Sequence, residues 1–224
     1  MRANSKADVL SDVCAALKDG DSHSARATLT SRYPFEPVEK IARRSSRPAR
    51  ETLTRDYPFV PVEKIVRRYS VGKSMDLFMR DGFIDIYTGK RLVNPGVLRL
   101  LHVVLGDDFP AHANWKASET HIAFWELFPT VDHLVPVSRG GPDDESNWVT
   151  ASMLSNQAKA HRTLEELGWE RHRPGAVEEW DGLSRWLVEY LAANPTVLEE
   201  AVEPHRGYIR KWLKATKAAL EGDG

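Results

Sequence analysis

The chain of 224 residues is long enough for one fair-sized domain with appendages or for two small domains. Its hydrophobic fraction of 42% and charged fraction of 28% are typical of an ordinary soluble protein, and no apolar run approaches the roughly 18 residues that a membrane-spanning helix needs. The single cysteine, Cys14, excludes an intrachain disulfide, and with no visible signal peptide the composition favours a cytoplasmic protein without a membrane partner.

Charge is distributed unevenly along the chain, although the formal net charge is only −1. Residues 1–70 contain 14 Lys and Arg against 9 Asp and Glu, whereas residues 141–204 contain 5 against 13. A basic segment of this kind indicates either an ordinary solvated surface or contact with a nucleic-acid backbone. The composition leaves both interpretations open.

An internal repeat lies in the basic N-terminal part of the chain. ARATLTSRYPFEPVEKIARR at 25–44 recurs as ARETLTRDYPFVPVEKIVRR at 49–68, an offset of 24 residues. In each copy a short helical segment is followed by Tyr-Pro-Phe, where proline forces the preceding residue out of the helical conformation. Each copy is therefore predicted to be a helix followed by an extended strap.

Two functions fit this repeat. As a packing strap it would contact the core through its aromatic residues, Tyr33, Phe35, Tyr57 and Phe59. As a DNA-binding arm it would lie along the phosphate backbone with its paired arginines, Arg43, Arg44, Arg67 and Arg68. The interpretations are compatible, because one strap can pack on the protein and also contact DNA.

Helices are predicted on both sides of the central stretch of the chain. Asn94-Pro95 followed by GVLRLLHVVLG predicts a capped, buried helix, and Ser118 is a candidate N-cap for a helix through ETHIAFWEL. After Gly168, AVEEWDGLSRWLVEYLAANP carries apolar residues at helical spacing, and a final helix is expected to extend to about Leu220. These helices are expected to support the central unit.

The most informative stretch of the chain is 127–163. TVDHLVPV predicts a strand, SRGGPDDESN a loop and NWVTA a second strand. From Ser152 to Gly168 the residues are mostly good helix formers, so one helix is expected there. A strand, loop, strand and helix in this order would bring four polar residues to one small cleft: Asp132, His133, Asn147 and Asn156.

The pattern D-H-x-x-P-x-S-R-G-G, followed by an Asn and then by N-x-x-K, resembles the core of the HNH nucleases, which have a ββα-metal fold. The resemblance implies that His133 is the general base that activates water and that Asp132 binds a divalent metal. It also implies that Asn147 braces the loop carrying the base and that Asn156 completes the metal site. The spacing agrees, with 14 residues from His133 to Asn147 and 9 from Asn147 to Asn156.

Phosphodiester hydrolysis requires these residue types independently of the resemblance. A neutral imidazole can deprotonate water near pH 7, and a carboxylate with an amide oxygen suits Mg²⁺ or Mn²⁺, which prefer oxygen ligands. Lys159 lies one turn beyond Asn156 on the same helical face, where contact with a phosphate is expected. Arg139, within the same motif, is a second candidate for contact with the nucleic acid.

One feature departs from the common pattern of the HNH family. Many members carry two Cys-x-x-Cys pairs that hold a structural zinc beside the core. The corresponding positions here are Asp85 and Thr88 for the first pair, and Ser152 and Ser155 for the second. With one cysteine in the chain a thiolate zinc site is impossible, so no structural zinc is expected and packing or hydrogen bonds must replace it.

The sequence as a whole predicts an α+β protein in which a central ββα-metal unit is wrapped by helices. The expected segments are an N-terminal repeat arm at 1–70, a nuclease core at 71–175 and supporting C-terminal helices at 176–224. The expected activity is hydrolysis of DNA with one Mg²⁺ or Mn²⁺ ion. Two alternatives stay open: a DNA-binding module with an inactive core, and a nuclease directed at RNA.

Overall fold

A computed structural model describes residues 5–36, 69–112 and 114–222. Within these ranges helices surround one two-stranded antiparallel sheet, so the predicted α+β class is confirmed. The second copy of the repeat lies outside the described residues, and so do the four paired arginines, Arg43, Arg44, Arg67 and Arg68.

The elements are labelled in chain order. The helices before the sheet are α1 (Lys6–Lys18), α2 (Ser22–Arg32), α3 (Val71–Arg80), α4 (Pro95–Leu105) and α5 (Ala123–Glu126). The two strands and the helix that follows them are β1 (Pro129–His133), β2 (Trp148–Ser152) and α6 (Met153–Lys159). The remaining helices are α7 (Leu164–Leu167), α8 (Ser184–Ala193), α9 (Pro195–Glu200) and α10 (His205–Gly222).

The pairing of β1 with β2 sets the directions of the polar side chains at the centre of the protein. The two strands are antiparallel, with His133 opposite Trp148. Because side chains alternate along a strand, Asp132 and His133 project from opposite faces of the sheet. α6 begins directly after β2, where the hydroxyl of Ser152 accepts a hydrogen bond of 3.0 Å from the amide of Ser155. The cap therefore joins the second strand to the helix without an intervening loop.

Two apolar clusters hold the helices around the sheet. The larger cluster packs α1 and α2 against α4, α5 and α8, with side chains such as Leu10 and Leu98 fully buried. The smaller cluster joins α3, β2 and α10 through Phe78, Trp148 and Trp212. The rings of Phe78 and Trp212 stack with centroids 6.1 Å apart. Helices from both ends of the described chain therefore pack around α4 and the sheet.

The described part of the first repeat copy also packs on the protein. α2 begins at Ser22, three residues before the first residue of this copy, because Asp21 caps it through a hydrogen bond from the amide of Ser24. Tyr33, directly after α2, is buried, and its hydroxyl donates a 2.6 Å hydrogen bond to the Glu126 carboxylate. These contacts support the packing interpretation for this copy, while Tyr57 and Phe59 of the second copy lie outside the described residues.

Two of the predicted helices are confirmed. Asn94 caps α4, Pro95 occupies its first turn, and Gly106 follows its end with a positive φ of 59°. The final helix, α10, extends two residues beyond the predicted end at Leu220. Capping residues were sufficient to locate α4, and apolar residues at helical spacing were sufficient for α10.

Three other helix predictions are wrong in their bounds. The helix expected from Ser152 to Gly168 is interrupted at Ala160, which has a φ of 52°, and Thr163 starts α7 with a capping box. Ser118 makes no capping hydrogen bond, and only α5 forms in the segment after it. The helix expected after residue 176 begins only at Ser184, because the chain first turns through Leu183, whose φ is 65°.

No described helix is both long and apolar enough to cross a membrane.

Asn94 links three helices from inside the core. It is fully buried, and its Oδ1 accepts a 2.8 Å hydrogen bond from the amide of Gly96 in α4. Its Nδ2 donates to the hydroxyl of Ser184 in α8 at 3.0 Å and to the hydroxyl of Thr216 in α10 at 2.9 Å. One amide therefore caps α4 and fixes α8 and α10 against it.

We expect Asn94→Ala to lower the free energy of unfolding by about 2–4 kcal/mol, since it removes a cap worth about 1 kcal/mol and leaves buried hydroxyls without their donor. Urea denaturation measures the loss. Asn194→Ala is the matched control, because Asn194 also precedes a proline that starts a helix but is only half-buried and does not cap that helix. Equal losses in the two variants would contradict the role given to Asn94.

Candidate active site

The end of β1 carries the two residues that the sequence analysis placed at the centre of the site. Asp132 and His133 are 7% and 2% exposed, so both polar side chains are largely removed from solvent. A buried ionisable side chain is stable only when it has hydrogen-bonding or charged partners. Because the two side chains lie on opposite faces of the sheet, each has its own set of partners.

His133 lies in a pocket formed by two aromatic residues and a carboxylate. Its Nε2 is 2.8 Å from Oδ1 of Asp143, 3.2 Å from the Tyr69 hydroxyl and 3.2 Å from Nε1 of Trp148. The Tyr69 and Trp148 rings meet edge to face, with centroids 5.0 Å apart. The imidazole is therefore fixed on its Nε2 side.

Asp143 is the common acceptor of this pocket. Partial burial would raise the pKa of its carboxyl group, but the hydrogen bonds from His133, Trp148 and Tyr69 together lower this pKa below its usual value. Asp143 is therefore ionised at neutral pH. The pocket presents a negative charge to Nε2 of His133.

The Asp132 carboxylate contacts a hydroxyl and an ammonium group. The Tyr87 hydroxyl donates a 2.6 Å hydrogen bond to its Oδ2, and Nζ of Lys159 lies 3.2 Å from the same oxygen. Burial, together with the carboxylates of Asp132 and Asp85, raises the pKa of Tyr87 well above its usual value, so Tyr87 remains a donor. The contacts described for Asp132 therefore converge on one of its two oxygens.

Lys159 differs from the expectation that it contacts a phosphate. The side chain is fully buried, and besides Asp132 its ammonium group donates a 2.6 Å hydrogen bond to the backbone carbonyl of His133. The helical face that carries Lys159 lies against β1 and does not face solvent, so the ammonium group compensates a buried charge. In this structure Lys159 links α6 to the end of β1.

Asn156 lies on the same face of the sheet as Asp132. Its Nδ2 donates to the Thr130 hydroxyl at 3.0 Å and approaches the carbonyl of Val131 at 3.4 Å. Thr130 and Asp132 are two residues apart on β1 and therefore share a face. Because Nδ2 is bound to the strand, the amide oxygen of Asn156 is the atom left for a ligand.

This donor set can be compared with the needs of a divalent metal. A carboxylate oxygen of Asp132 and the amide oxygen of Asn156 are hard donors of the kind that Mg²⁺ and Mn²⁺ prefer, with water completing the coordination. Within residues 5–36, 69–112 and 114–222 no group of three or more His, Cys, Asp or Glu could hold a metal. Asp132 and Asn156 therefore fit a site with few protein ligands.

Asn147 holds the loop between β1 and β2. Its Nδ2 donates to the carbonyls of Val135 and Pro142, both at 2.8 Å, and its Oδ1 accepts a 2.9 Å hydrogen bond from the amide of Val135. The side chain is 5% exposed. It therefore bonds to both ends of the loop, next to His133.

Arg139 is paired with an acidic residue in the same region. Its guanidinium group lies 3.0 Å from the carboxylate of Glu166, and both side chains are mostly buried. Glu166 belongs to the capping box of α7. Arg139 therefore connects the loop to α7, and the prediction that it contacts nucleic acid stays a prediction.

The four positions that correspond to zinc cysteines in the family come together in this structure. The Ser155 hydroxyl donates to the buried carboxylate of Asp85 at 2.7 Å, and the Ser152 hydroxyl donates to that of Ser155 at 2.9 Å. Thr88, the fourth position, is exposed but lines the same cavity. A chain of hydrogen bonds therefore joins the Asp85 turn to the start of α6.

Sequence analysis did not find four residues that complete the site. They are Tyr69, Tyr87, Asp143 and Trp148. Asp143 and Trp148 lie inside the quoted motif region, and Trp148 follows from strand pairing once His133 is placed opposite it. Tyr69 and Tyr87 reach the site from distant parts of the sequence, and no local signal identifies them.

Comparison with known families agrees with this location. The family model for HNH endonucleases matches residues 124–162, which include β1, β2 and α6. No curated protein and no solved structure matches the chain. The resemblance to the HNH family is confirmed for this segment, and an HNH domain supports a nuclease activity in general.

We expect Ser155→Ala to lower the free energy of unfolding by about 1–3 kcal/mol, because a buried carboxylate loses a hydrogen bond. Added zinc should leave the melting temperature of the unmodified protein unchanged, and elemental analysis should find no stoichiometric zinc. Thr88→Ala is the control at the exposed position and should change stability by less than about 0.5 kcal/mol. One tightly bound zinc per chain would contradict this account of the four positions.

Proposed function

We propose that the protein is an endonuclease that hydrolyses DNA phosphodiester bonds with a divalent metal, and that His133 is its general base. The observation that carries the proposal is the arrangement at the end of β1 within the matched segment. There His133 is fixed by Asp143, and Asp132, the residue directly before it, offers an oxygen donor together with Asn156 on the opposite face of the strand. A base next to an oxygen-rich metal site is the combination that phosphodiester hydrolysis requires.

In the proposed reaction His133 removes a proton from a water molecule as the water oxygen attacks phosphorus. The new P–O bond forms while the bond to the leaving oxygen breaks, and the leaving oxygen is protonated by solvent. The hydrogen bonds of Asn147 to the loop support this step, because they hold the backbone next to His133. A base held in place loses less entropy on reaching the transition state.

Asp132 and Asn156 would hold one Mg²⁺ or Mn²⁺ ion through a carboxylate oxygen and an amide oxygen. When bound, such an ion stabilises the negative charge of the transition state and of the leaving oxygen. Lys159 neutralises part of the Asp132 charge at 3.2 Å. We therefore expect the ion to bind weakly to the protein alone and more tightly when a substrate phosphate adds its charge.

The second candidate function is a DNA-binding module with an inactive core. The observation that favours it is the buried ammonium group of Lys159, which already compensates the charge of Asp132. A nuclease directed at RNA is a further alternative. Parallel digestion of DNA and RNA, with and without metal, distinguishes the three.

The test of the proposed function is nicking of a supercoiled plasmid. His133→Ala should lower cleavage by roughly 10²- to 10⁴-fold, the usual contribution of a positioned general base, while DNA affinity stays nearly unchanged. EDTA should abolish cleavage, and Mg²⁺ or Mn²⁺ should restore it. His23→Ala, which changes an exposed histidine of α2, is the control and should cleave normally. Near-normal nicking by a folded His133→Ala protein would exclude the proposed mechanism.

The basic repeat is proposed to contribute affinity for the DNA backbone. The second copy ends directly before Tyr69, which lies at the His133 pocket. Replacing Arg43, Arg44, Arg67 and Arg68 with Ala should weaken DNA binding and reduce the slope of log K against log salt by up to about 0.9 per lost phosphate contact. Cleavage at saturating DNA should change little.

The matched control for the repeat replaces the same four arginines with lysine, which keeps the charge. Binding measured at several salt concentrations should then keep most of its affinity and salt slope. An unchanged slope in the alanine variant would mean that the repeat only packs on the protein. The cleft around His133 would then hold the DNA without it.

A further inference from the structure

The loop between β1 and β2 contributes a carboxylate, Asp143, to which the sequence assigned no role. Its Oδ1 lies 2.8 Å from Nε2 of His133, 3.0 Å from the hydroxyl of Tyr69 and 3.1 Å from Nε1 of Trp148. Three side chains from three parts of the chain therefore meet at one carboxylate oxygen. The Asp143 side chain is 22% exposed, so solvent only partly screens these contacts.

The positions of the hydrogen atoms in this cluster follow from the donors and acceptors that it contains. An unprotonated Nε2 on His133 would set its lone pair against that of Asp143 at 2.8 Å, whereas an Nε2–H group donates a hydrogen bond to the carboxylate. Nε2 therefore carries a hydrogen. In a neutral imidazole the other nitrogen, Nδ1, is then the acceptor.

Tyr69 and Trp148 also donate hydrogen bonds to the Asp143 carboxylate. Each has a donor 3.2 Å from Nε2 of His133, but a protonated Nε2 cannot accept from them. Both donors are therefore directed to Asp143. The indole group of Trp148 can only donate, so an acceptor atom must face it in any stable arrangement.

We propose that Asp143 is a positioning residue, which holds His133 in the tautomer with hydrogen on Nε2 and leaves Nδ1 to accept the proton of the attacking water. The inference rests on the proposed function of His133 as general base. A buried carboxylate that selects the tautomer of a catalytic imidazole has a large effect on catalysis in other hydrolases. Here the carboxylate comes from the loop and not from either strand.

The loop also has contacts that do not involve the Asp143 side chain. Asn147 bonds to the carbonyl of Pro142, and the Asp144 carboxylate accepts a 2.9 Å hydrogen bond from the amide of Ser146. Removing the Asp143 carboxylate leaves these contacts in place. The variant is therefore expected to fold, which circular dichroism and thermal denaturation check.

The tautomer can be measured without DNA or metal. In nitrogen-15-labelled protein, at a pH about two units above the ordinary histidine pKa of about 6.5, the side-chain nitrogen shifts distinguish protonated from unprotonated ring nitrogens. We expect Nε2 of His133 to be protonated in the unmodified protein and Asp143→Ala to give a mixture of tautomers. Loss of the signals in His133→Gln assigns them.

Steady-state cleavage gives the second measurement. Asp143→Ala should lower kcat by about 10- to 1,000-fold, while KM for DNA stays unchanged or falls because a negative charge is removed. Glu145→Ala is the matched control, since it removes the same charge two positions away from an exposed side chain, and it should keep kcat within about twofold. Asp143→Asn should keep the tautomer and more of the activity. The N–H group of Trp148 needs an acceptor, so it favours the orientation in which the Asn amide oxygen faces the pocket and still accepts from Nε2–H of His133.

The outcomes separate this inference from the proposed function. A folded Asp143→Ala protein with an unchanged His133 tautomer and unchanged kcat would overturn the inference, even if the unmodified protein cleaves DNA. A tautomer that depends on Asp143 in a protein that cleaves neither DNA nor RNA would support the positioning contact and overturn the proposed function. Equal losses in Asp143→Ala and Glu145→Ala would also overturn the inference, because a general charge effect would then explain both.

Discussion

The antiparallel pairing of β1 with β2 is the constraint on which the candidate site depends. It sets Trp148 opposite His133 and, through side-chain alternation, directs Asp132 to the other face. A shift of one residue would exchange the faces of all these side chains. The register is stabilised by burial of the whole of β2 and by the Ser152 cap, which starts α6 directly at the end of the strand. The contacts that pack the two strands together therefore also set the directions of the side chains in the candidate site.

The two faces of the sheet meet different electrostatic requirements. On the His133 face the carboxylate of Asp143 receives three donors and remains partly exposed. On the other face Lys159 lies fully buried against Asp132. A buried ion pair gives little net stability, but removing one partner leaves an uncompensated charge that costs about 3–5 kcal/mol. Lys159 therefore stabilises the buried Asp132 carboxylate. It also neutralises part of the negative charge that would attract a metal ion.

The sequence predicted the parts of this site that are local in the chain. The strand-loop-strand-helix order and the places of Asp132 and Asn147 follow from turn residues and spacing. Helix bounds that depend on one backbone conformation were missed, as at Ala160, although Thr163 three residues before a glutamate is a readable capping signal. Tyr69 and Tyr87 were also missed, because they reach the site through tertiary packing, which one sequence does not encode in any local pattern.

The turn at Asp85 illustrates how hydrogen bonds can join positions that hold a thiolate zinc site in many HNH members. A structural zinc contributes on the order of 10 kcal/mol, whereas each hydrogen bond of the Asp85 and Ser155 chain contributes about 1–3 kcal/mol. The difference must come from elsewhere. Near the turn, Ile86, Tyr87 and Val149 form an apolar cluster, and the amide of Ile86 donates to the carbonyl of Thr150 at 3.0 Å. Because such contacts are spread over many residues, the stability of the turn depends on the packing around it.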